Sequence, residues 1–305
     1  MNSLVKRNYS GWFIAWISLI FNFVLTVVKV LVGYIFHSTA LLADGIHNGG
    51  DVIASLATLS SMKVANQPAD KEHPYGHGKA EDISSSFISL ILLIAGLYLI
   101  YESIVALFMP AKEANIWALL AAIVSLIVKG ILYFYTMRYG KRTKSKSLIA
   151  TAYDHLADVW ASLAAAIGIG IAWVGNLYSI PYAVYGDPIA GIVVSILIIK
   201  VGVEMGIKSI NVLMEGNVSA EQIEIYSNMI KTFPEVKRID KLRAREHGNY
   251  ILIDVRISVP GTLTIQEGHD ITRQIRDSIM TKDPNVEEVL IHLNPWYATP
   301  LPLKK

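Results

Sequence analysis

The stretch TALLADGIHNGGDVIASLATLSSM, residues 39–62, is long enough to cross a lipid bilayer, yet it carries His47 and Asp51. A spanning helix needs about 20 predominantly apolar residues. At 3.6 residues per turn, a spacing of four leaves two side chains about 40° apart around the axis, so both point from one face. A second apolar run, 148–174, repeats the arrangement with Asp154 and Asp158. Ionisable groups within a bilayer are costly, so they face a protein interior and mark routes for ions or protons. One imidazole and three carboxylates together describe a divalent-cation site, and movement of a metal ion is the function they point to.

The rest of the composition agrees with a membrane protein. Of 305 residues 53% are hydrophobic and 17% charged, and the net charge is +2. Soluble domains carry about 25% charged residues. So small a charge gives no case for nucleic acid. There is no cysteine, which excludes disulfides and thiolate ligands. Six apolar runs reach spanning length: 12–36, 39–62, 83–108, 116–137, 148–174 and 188–207. No small-residue cleavage pattern follows the first, which reads as a retained helix and not a signal peptide. Lys6, Arg7, Lys63, Lys71, Lys79, Arg138, Lys141, Arg142, Lys144 and Lys146 gather on one side, and the opposite loops offer only Lys112. By the positive-inside rule both termini are expected in the cytoplasm.

Beyond Glu215 charged residues recur and no spanning run follows. Residues 219–233 read as an amphipathic helix with Ser219 as N-cap and Pro234 past its end. Strands are expected at 239–245 and 250–259 around the turn at His247, Gly248 and Asn249, with Ile251, Ile253, Val255 and Ile257 alternating. A second helix at 264–280 and a third strand at 286–293 complete a small α+β sandwich, ferredoxin-like in the order α-β-β-α-β. The expected architecture is an α-helical integral membrane domain of six transmembrane helices over 1–212, a cytoplasmic α+β dimerisation domain over 213–297, and a short tail, 298–305.

Between the second and third apolar runs lies QPADKEHPYGHGKAE, residues 67–81. This string, the His47/Asp51 and Asp154/Asp158 pairs, six helices and the α+β tail together resemble the cation diffusion facilitator family over nearly the whole chain. The resemblance implies a homodimeric exporter in the plasma membrane that exchanges a cytoplasmic divalent metal for protons, a secondary transporter and not an enzyme, with no organic cofactor. It puts the transport site on His47, Asp51, Asp154 and Asp158. Asp44 and Asn48 share the spacing of His47 and Asp51, but counting back without gaps from the loop selects the latter pair, and Asp44 is left to relay protons or to attract cations at the mouth. His155, about 100° from Asp154, reads as a neighbour of the site and not a ligand.

Further residues follow from the same resemblance. Asp70, His73 and His77 match a second metal site, against the plainer reading of a solvated loop shaped by its prolines and glycines. Lys79 matches a position that pairs with an acid at the start of the cytoplasmic domain, here Glu215. His269, His292 and Asp240 match positions that bind zinc in relatives, although His269 and His292 read more simply as a helix-surface and a strand-end residue. Arg256 and Asn294 occupy other such positions, and a guanidinium repels a cation, which argues against a binuclear site of that form. Four N and O ligands suit zinc first, with iron, cobalt, manganese and cadmium as alternatives and a manganese-selective exporter as the main competing reading. From other classes, an intramembrane metalloprotease lacks its His-Glu-x-x-His string here. A passive channel would want a filter in place of titrating ligands. A membrane metal sensor makes six spans uneconomical. Lys29, Lys129 and Lys200 lie within apolar runs and receive only a snorkelling or interface role.

Overall fold

The computed structural model describes residues 2–109, 114–143, 146–248 and 250–296. The expected tail at 298–305, together with Lys112, Lys144 and Asn249, lies outside the described residues. Six long helices come first: α1 (Asn2–Ile35), α2 (Thr39–Ala65), α3 (Ala80–Phe108), α4 (Ile116–Thr143), α5 (Lys146–Leu177) and α6 (Gly186–Leu213), the last preceded by one 3₁₀ turn, Ala183–Tyr185. They are followed by α7 (Ala220–Lys231), β1 (Arg238–His247), β2 (Tyr250–Pro260), α8 (Ile265–Lys282) and β3 (Val286–Trp296). Five helices among the described residues are long and apolar enough to cross a membrane: α1, α3, α4, α5 and α6. The expectation of six is not met on composition, because α2 carries Asp44, His47, Asn48 and Asp51 in its first half.

The chain divides into two compact units, Met1–Leu59 with Ser85–Gly206 and Ser60–Ser84 with Ile207–Lys305. In the first, α4 packs on α5 and on α1. Small and polar residues face inwards, with Ala118, Ala122, Ser125 and Lys129 of α4 buried, while Ile127, Ile131 and Phe134 of the same helix are exposed. This inversion suits lipid, where small side chains let backbones approach and large apolar ones meet the tails. The turn between α1 and α2 is tight: His37 has φ 55°, and the Ser38 N–H donates to the Gly33 carbonyl at 2.9 Å, a left-handed helix stop. The start of α2 is capped from far along the chain. Asp187 accepts from the backbone N–H groups of Thr39 and Ala40, each at 3.0 Å, and from the Ser38 hydroxyl at 2.8 Å.

The second unit holds a three-stranded sheet in the order β1-β2-β3, with β1 antiparallel and β3 parallel to the central β2. A parallel neighbour needs a crossover, and α8 supplies it. Ser219 caps α7 as expected, and Thr264 and Glu267 form a reciprocal capping box on α8. One face of the sheet is closed by apolar side chains: Tyr226 and Ile230 from α7, Ile253 and Ile257 from β2, Ile275 and Ile279 from α8. Residues 67–81 belong to this unit. Gly78 and Gly248 approach so closely that a Cβ on either would meet the other segment's backbone, and Gly248 also sits at φ 66°.

Candidate metal centre

One buried polar seam runs through the first unit. On α2, His47 and Asp51 share a face, and with Asp158 of α5 they bring three ligand atoms within 4.8 Å of one another. His47 Nε2 lies 3.4 Å from Asp158 Oδ1. Donors at about 2.1 Å around a tetrahedral ion stand about 3.4 Å apart, so this pair already has the separation of two ligands on one ion. Asp154 does not join them. It lies one turn before Asp158, and its side chain is exposed.

Asp44 is committed elsewhere. Its Oδ2 receives the Lys29 ammonium at 2.7 Å and the Ser162 hydroxyl at 2.9 Å, and Lys29 also donates to Ser162 at 3.0 Å. Ser125 stands 3.3 Å from the same hydroxyl. Lys29 and Asp44 are both wholly buried. Asn48 is fully buried too, and both ends of its amide lack a partner among the described residues.

Two contacts escaped the sequence. Lys129 of α4, fully buried, donates to Asp158 Oδ2 at 2.5 Å. His155 is buried, with Ser18 Oγ 3.1 Å from its Nε2 and Asp158 Oδ2 3.8 Å from its Nδ1. Its angle from Asp154 had little bearing, whereas the i,i+3 spacing to Asp158 was the available signal. For Lys129 the signal was a charge at the centre of an apolar run, which requires a buried acid without naming it.

The loop residues gather as a second group, with Asp70, His73 and His77 ligand atoms within 4.8 Å. His73 Nδ1 is 3.4 Å from Asp70 Oδ1, and His77 Nε2 is 3.5 Å from Asp70 Oδ2. Asp70 also accepts the backbone N–H groups of Glu72 and His73, at 2.9 and 2.6 Å. Those bonds, that of His73 foremost, hold its carboxyl below the usual range. Lys79 pairs with Glu215, which sits at φ 61° just past α6 and also receives Arg245 Nε at 2.6 Å. Partial burial pushes the Glu215 carboxyl up, but the hydrogen bond and charge of Lys79, aided by Arg245, bring it below its ordinary value.

His269, His292 and Asp240 are not brought together into a ligand group among the described residues. Asp240 is the extra residue at a bulge between Ile239 and Lys241 of β1. It accepts from Ser258 at 2.7 Å, Asn294 at 2.9 Å and Arg238 at 2.6 Å, tying all three strands. His292 turns to Asn294 at 3.1 Å, and His269 is exposed on α8.

Residues 15–214 match the family model described as cation efflux transmembrane domain, and 218–296 match that of the cation efflux protein cytoplasmic domain. The chain belongs to the cation efflux, or cation diffusion facilitator, family. It is 46% identical over 284 residues to the manganese efflux system protein MneP of Bacillus subtilis, covering 93% of this chain and 96% of that one. To the magnetosome protein MamB of Magnetospirillum gryphiswaldense it is 31% identical, covering 92% and 93%. Among solved structures, the metal-bound C-terminal domain of the CzcD transporter from Thermotoga maritima matches 26% of this chain and 94% of its own length, with 23% identity and a TM-score of 0.24. As a cation efflux protein, the chain is a multi-pass membrane transporter of divalent metal cations, with a C-terminal cytoplasmic domain built on a small sheet.

Proposed function

We propose that the chain exports manganese(II) from the cytoplasm in exchange for protons, through a site of His47, Asp51, Asp154 and Asp158. The observation that carries this reading is the convergence of buried His47, half-buried Asp51 and buried Asp158, with its 3.4 Å pair at the spacing of two ligands on one ion. Asp154 completes the set by turning inward to another staggered rotamer when the ion arrives. Three carboxylates and one imidazole make an oxygen-rich set, which suits manganese, and the name of the Bacillus subtilis relative supports that order. Zinc, placed first on ligand type alone, becomes the second reading, supported by the tetrahedral separation.

Every ligand in the set can hold either the metal or a proton, so protons arriving from the far side displace the ion. Rocking of helices about the site supplies alternating access. In this reading α2 crosses the membrane as the sixth span, its polar half facing protein and not lipid. Both termini lie in the cytoplasm, the membrane is the plasma membrane, and two copies pair through the cytoplasmic domain. Asp70, His73 and His77 form a site that collects metal ahead of transport. The Lys79–Glu215 pair fastens the loop of that site to the cytoplasmic domain.

The test is flux into liposomes of manganese, zinc, iron(II), cobalt and cadmium, each with and without a pH gradient, for the wild type and Asp51→Ala. Manganese uptake driven by the gradient and lost in Asp51→Ala is the expected result. Faster gradient-driven zinc would move the proposal to the second reading. Uptake by Asp51→Ala equal to that of the wild type would remove the site assignment.

A further inference from the structure

The three helices around the metal centre also form what lies beyond it. His47, Lys129 and Asp158 meet at one level of α2, α4 and α5. One turn further along each helix Asp44, Ser125 and Ser162 meet, with Ser162 Oγ 2.9 Å from Asp44 and 3.3 Å from Ser125. A second turn brings Ala40, Leu41, Ala122 and Ala165, all without solvent exposure and all in one apolar cluster. A third brings Ala118 and Ile169, which line a cavity of about 650 Å³ together with Thr39, Glu102 and Asp187. The direction is the same on each helix, towards the α1–α2 turn and the start of α4. With a rise of about 1.5 Å per residue, Ala165 stands roughly 10 Å from Asp158 along α5, and Ile169 roughly 16 Å.

The other side of the metal centre is open. Asp51 is half-buried, while Asp154, one turn before Asp158, and Ser55, one turn after Asp51, are exposed. The ligand group is therefore reached from that side and sealed on the other by two layers of side chains, the outer one apolar. A divalent ion does not enter an apolar layer stripped of its water, and a dry constriction of this kind is how hydrophobic residues close a pore. A cation efflux protein releases its ion on the far side of the membrane, so these layers have to part. Alanine keeps the parting small, because short side chains let the helices touch and a slight separation of their backbones opens the gap.

We propose that the ion leaves between α2, α4 and α5, past the hydroxyls of Ser125 and Ser162, into this cavity, and that Ala40, Leu41, Ala122 and Ala165 are the barrier that opens for it. The inference rests on the site and the orientation read above, in which the α1–α2 turn faces away from the cytoplasm. It adds the route of release. Glu102 and Asp187 bring carboxylates to the cavity wall, so a cation that has passed the barrier is held there in preference to the apolar layer behind it.

The chain contains no cysteine, so an introduced one is its sole thiol. Full-length Ala118→Cys and Ala122→Cys are produced in intact cells and treated from outside with a membrane-impermeant cationic methanethiosulfonate, with and without manganese export under way. Ala118→Cys is expected to react in both conditions, and Ala122→Cys at least tenfold faster during export. An Ala118→Cys that never reacts from outside, or an Ala122→Cys whose rate is unchanged by export, overturns the proposal. Ala165→Leu overfills the barrier and leaves the ligands in place. Its Kd for manganese, by calorimetry in detergent, is expected within about threefold of the wild type, while flux in liposomes falls at least tenfold. A folded Ala165→Leu with wild-type flux overturns the proposal as well, and if that variant does not fold the two cysteine rates decide alone. Asp51→Ala added to Ala122→Cys separates this inference from the site reading. Loss of export and of the acceleration together supports both. Export and acceleration that persist remove Asp51 from the site and leave the route standing, whereas loss of export beside an Ala122→Cys parent that showed no acceleration removes only the route.

Discussion

Lys29 and Asp44 differ from Lys129 and Asp158 in what surrounds the carboxylate, and the difference assigns them different work. Asp44 Oδ2 is filled by Lys29 and Ser162, so the pair behaves as a buried structural salt bridge. Removing one partner of such a pair leaves an uncompensated charge and costs about 3–5 kcal/mol, whereas replacing both by apolar groups is close to neutral. Lys29→Met should therefore lower the melting temperature in detergent sharply, and Lys29→Met with Asp44→Leu should restore most of it. The restored double variant should still exchange manganese for protons; loss of flux there would return Asp44 to the relay role its sequence position gave it. Helical spacing made His47, Asp51 and Asp158 legible, because residues four apart share a face whatever the fold. Spacing does not fix how far round the helix the interior extends, and the same periodicity that buries Asp158 leaves Asp154 exposed. The partners of Lys29 and Lys129 were illegible for another reason: each lies on a different helix, and one sequence does not say which helices touch.

Where a helix begins or ends, a cap satisfies its free backbone groups, and in this chain the start of α2 draws on a residue remote in sequence. Asp187 caps α2 from the start of α6, a partnership no local pattern announces, while the local caps Ser219 and Thr264 could be read directly. The parallel pairing of β3 with β2 was likewise unreadable from the strand itself, since an alternating run does not state its direction. At the end of α6, Glu215 takes a left-handed conformation and binds Lys79 and Arg245. Its carboxyl lies below its ordinary value of 4.5, so the ionised form is the stabilising one. That contribution is complete above pH 4.5 and disappears as the pH falls through the lower value of the folded state. Thermal melts should show Glu215→Gln less stable than the wild type at pH 7, by a gap of about 1 kcal/mol or less given the exposure of the pair. The gap should close as the pH falls below 4.5, and a gap independent of pH would separate the stability of this junction from the Glu215 charge. Gly78→Ala tests the same junction sterically. With no room for a Cβ beside His247 and Gly248, it should free residues 67–81, seen as faster hydrogen exchange there while that of α4 is unchanged.

Two solvents divide the molecule's chemistry between its units. In the first, large apolar side chains point outwards while Lys29, Lys129, Asp44 and Asp158 are buried, an order that only lipid rewards. In the second, the order is that of a water-soluble fold: β2 buries Ile253, Val255 and Ile257 while Arg256 is exposed, and α7 and α8 cover one face of the sheet. Such a core does not require the first unit, and about 90 residues can sustain one. The fragment 207–296 should therefore fold alone in aqueous buffer and melt in one cooperative transition. It should melt below the temperature at which the same sheet is lost in the full chain, because the fragment lacks the loop that packs Gly78 against Gly248 and brings Lys79 to Glu215. If the transporter pairs through this domain, light scattering should return twice the fragment's mass at micromolar concentration. A fragment that is folded yet monomeric would move the dimer contact to the membrane helices. An unfolded fragment would mean that residues 60–84 are an integral part of this core, in keeping with their place in the same compact unit.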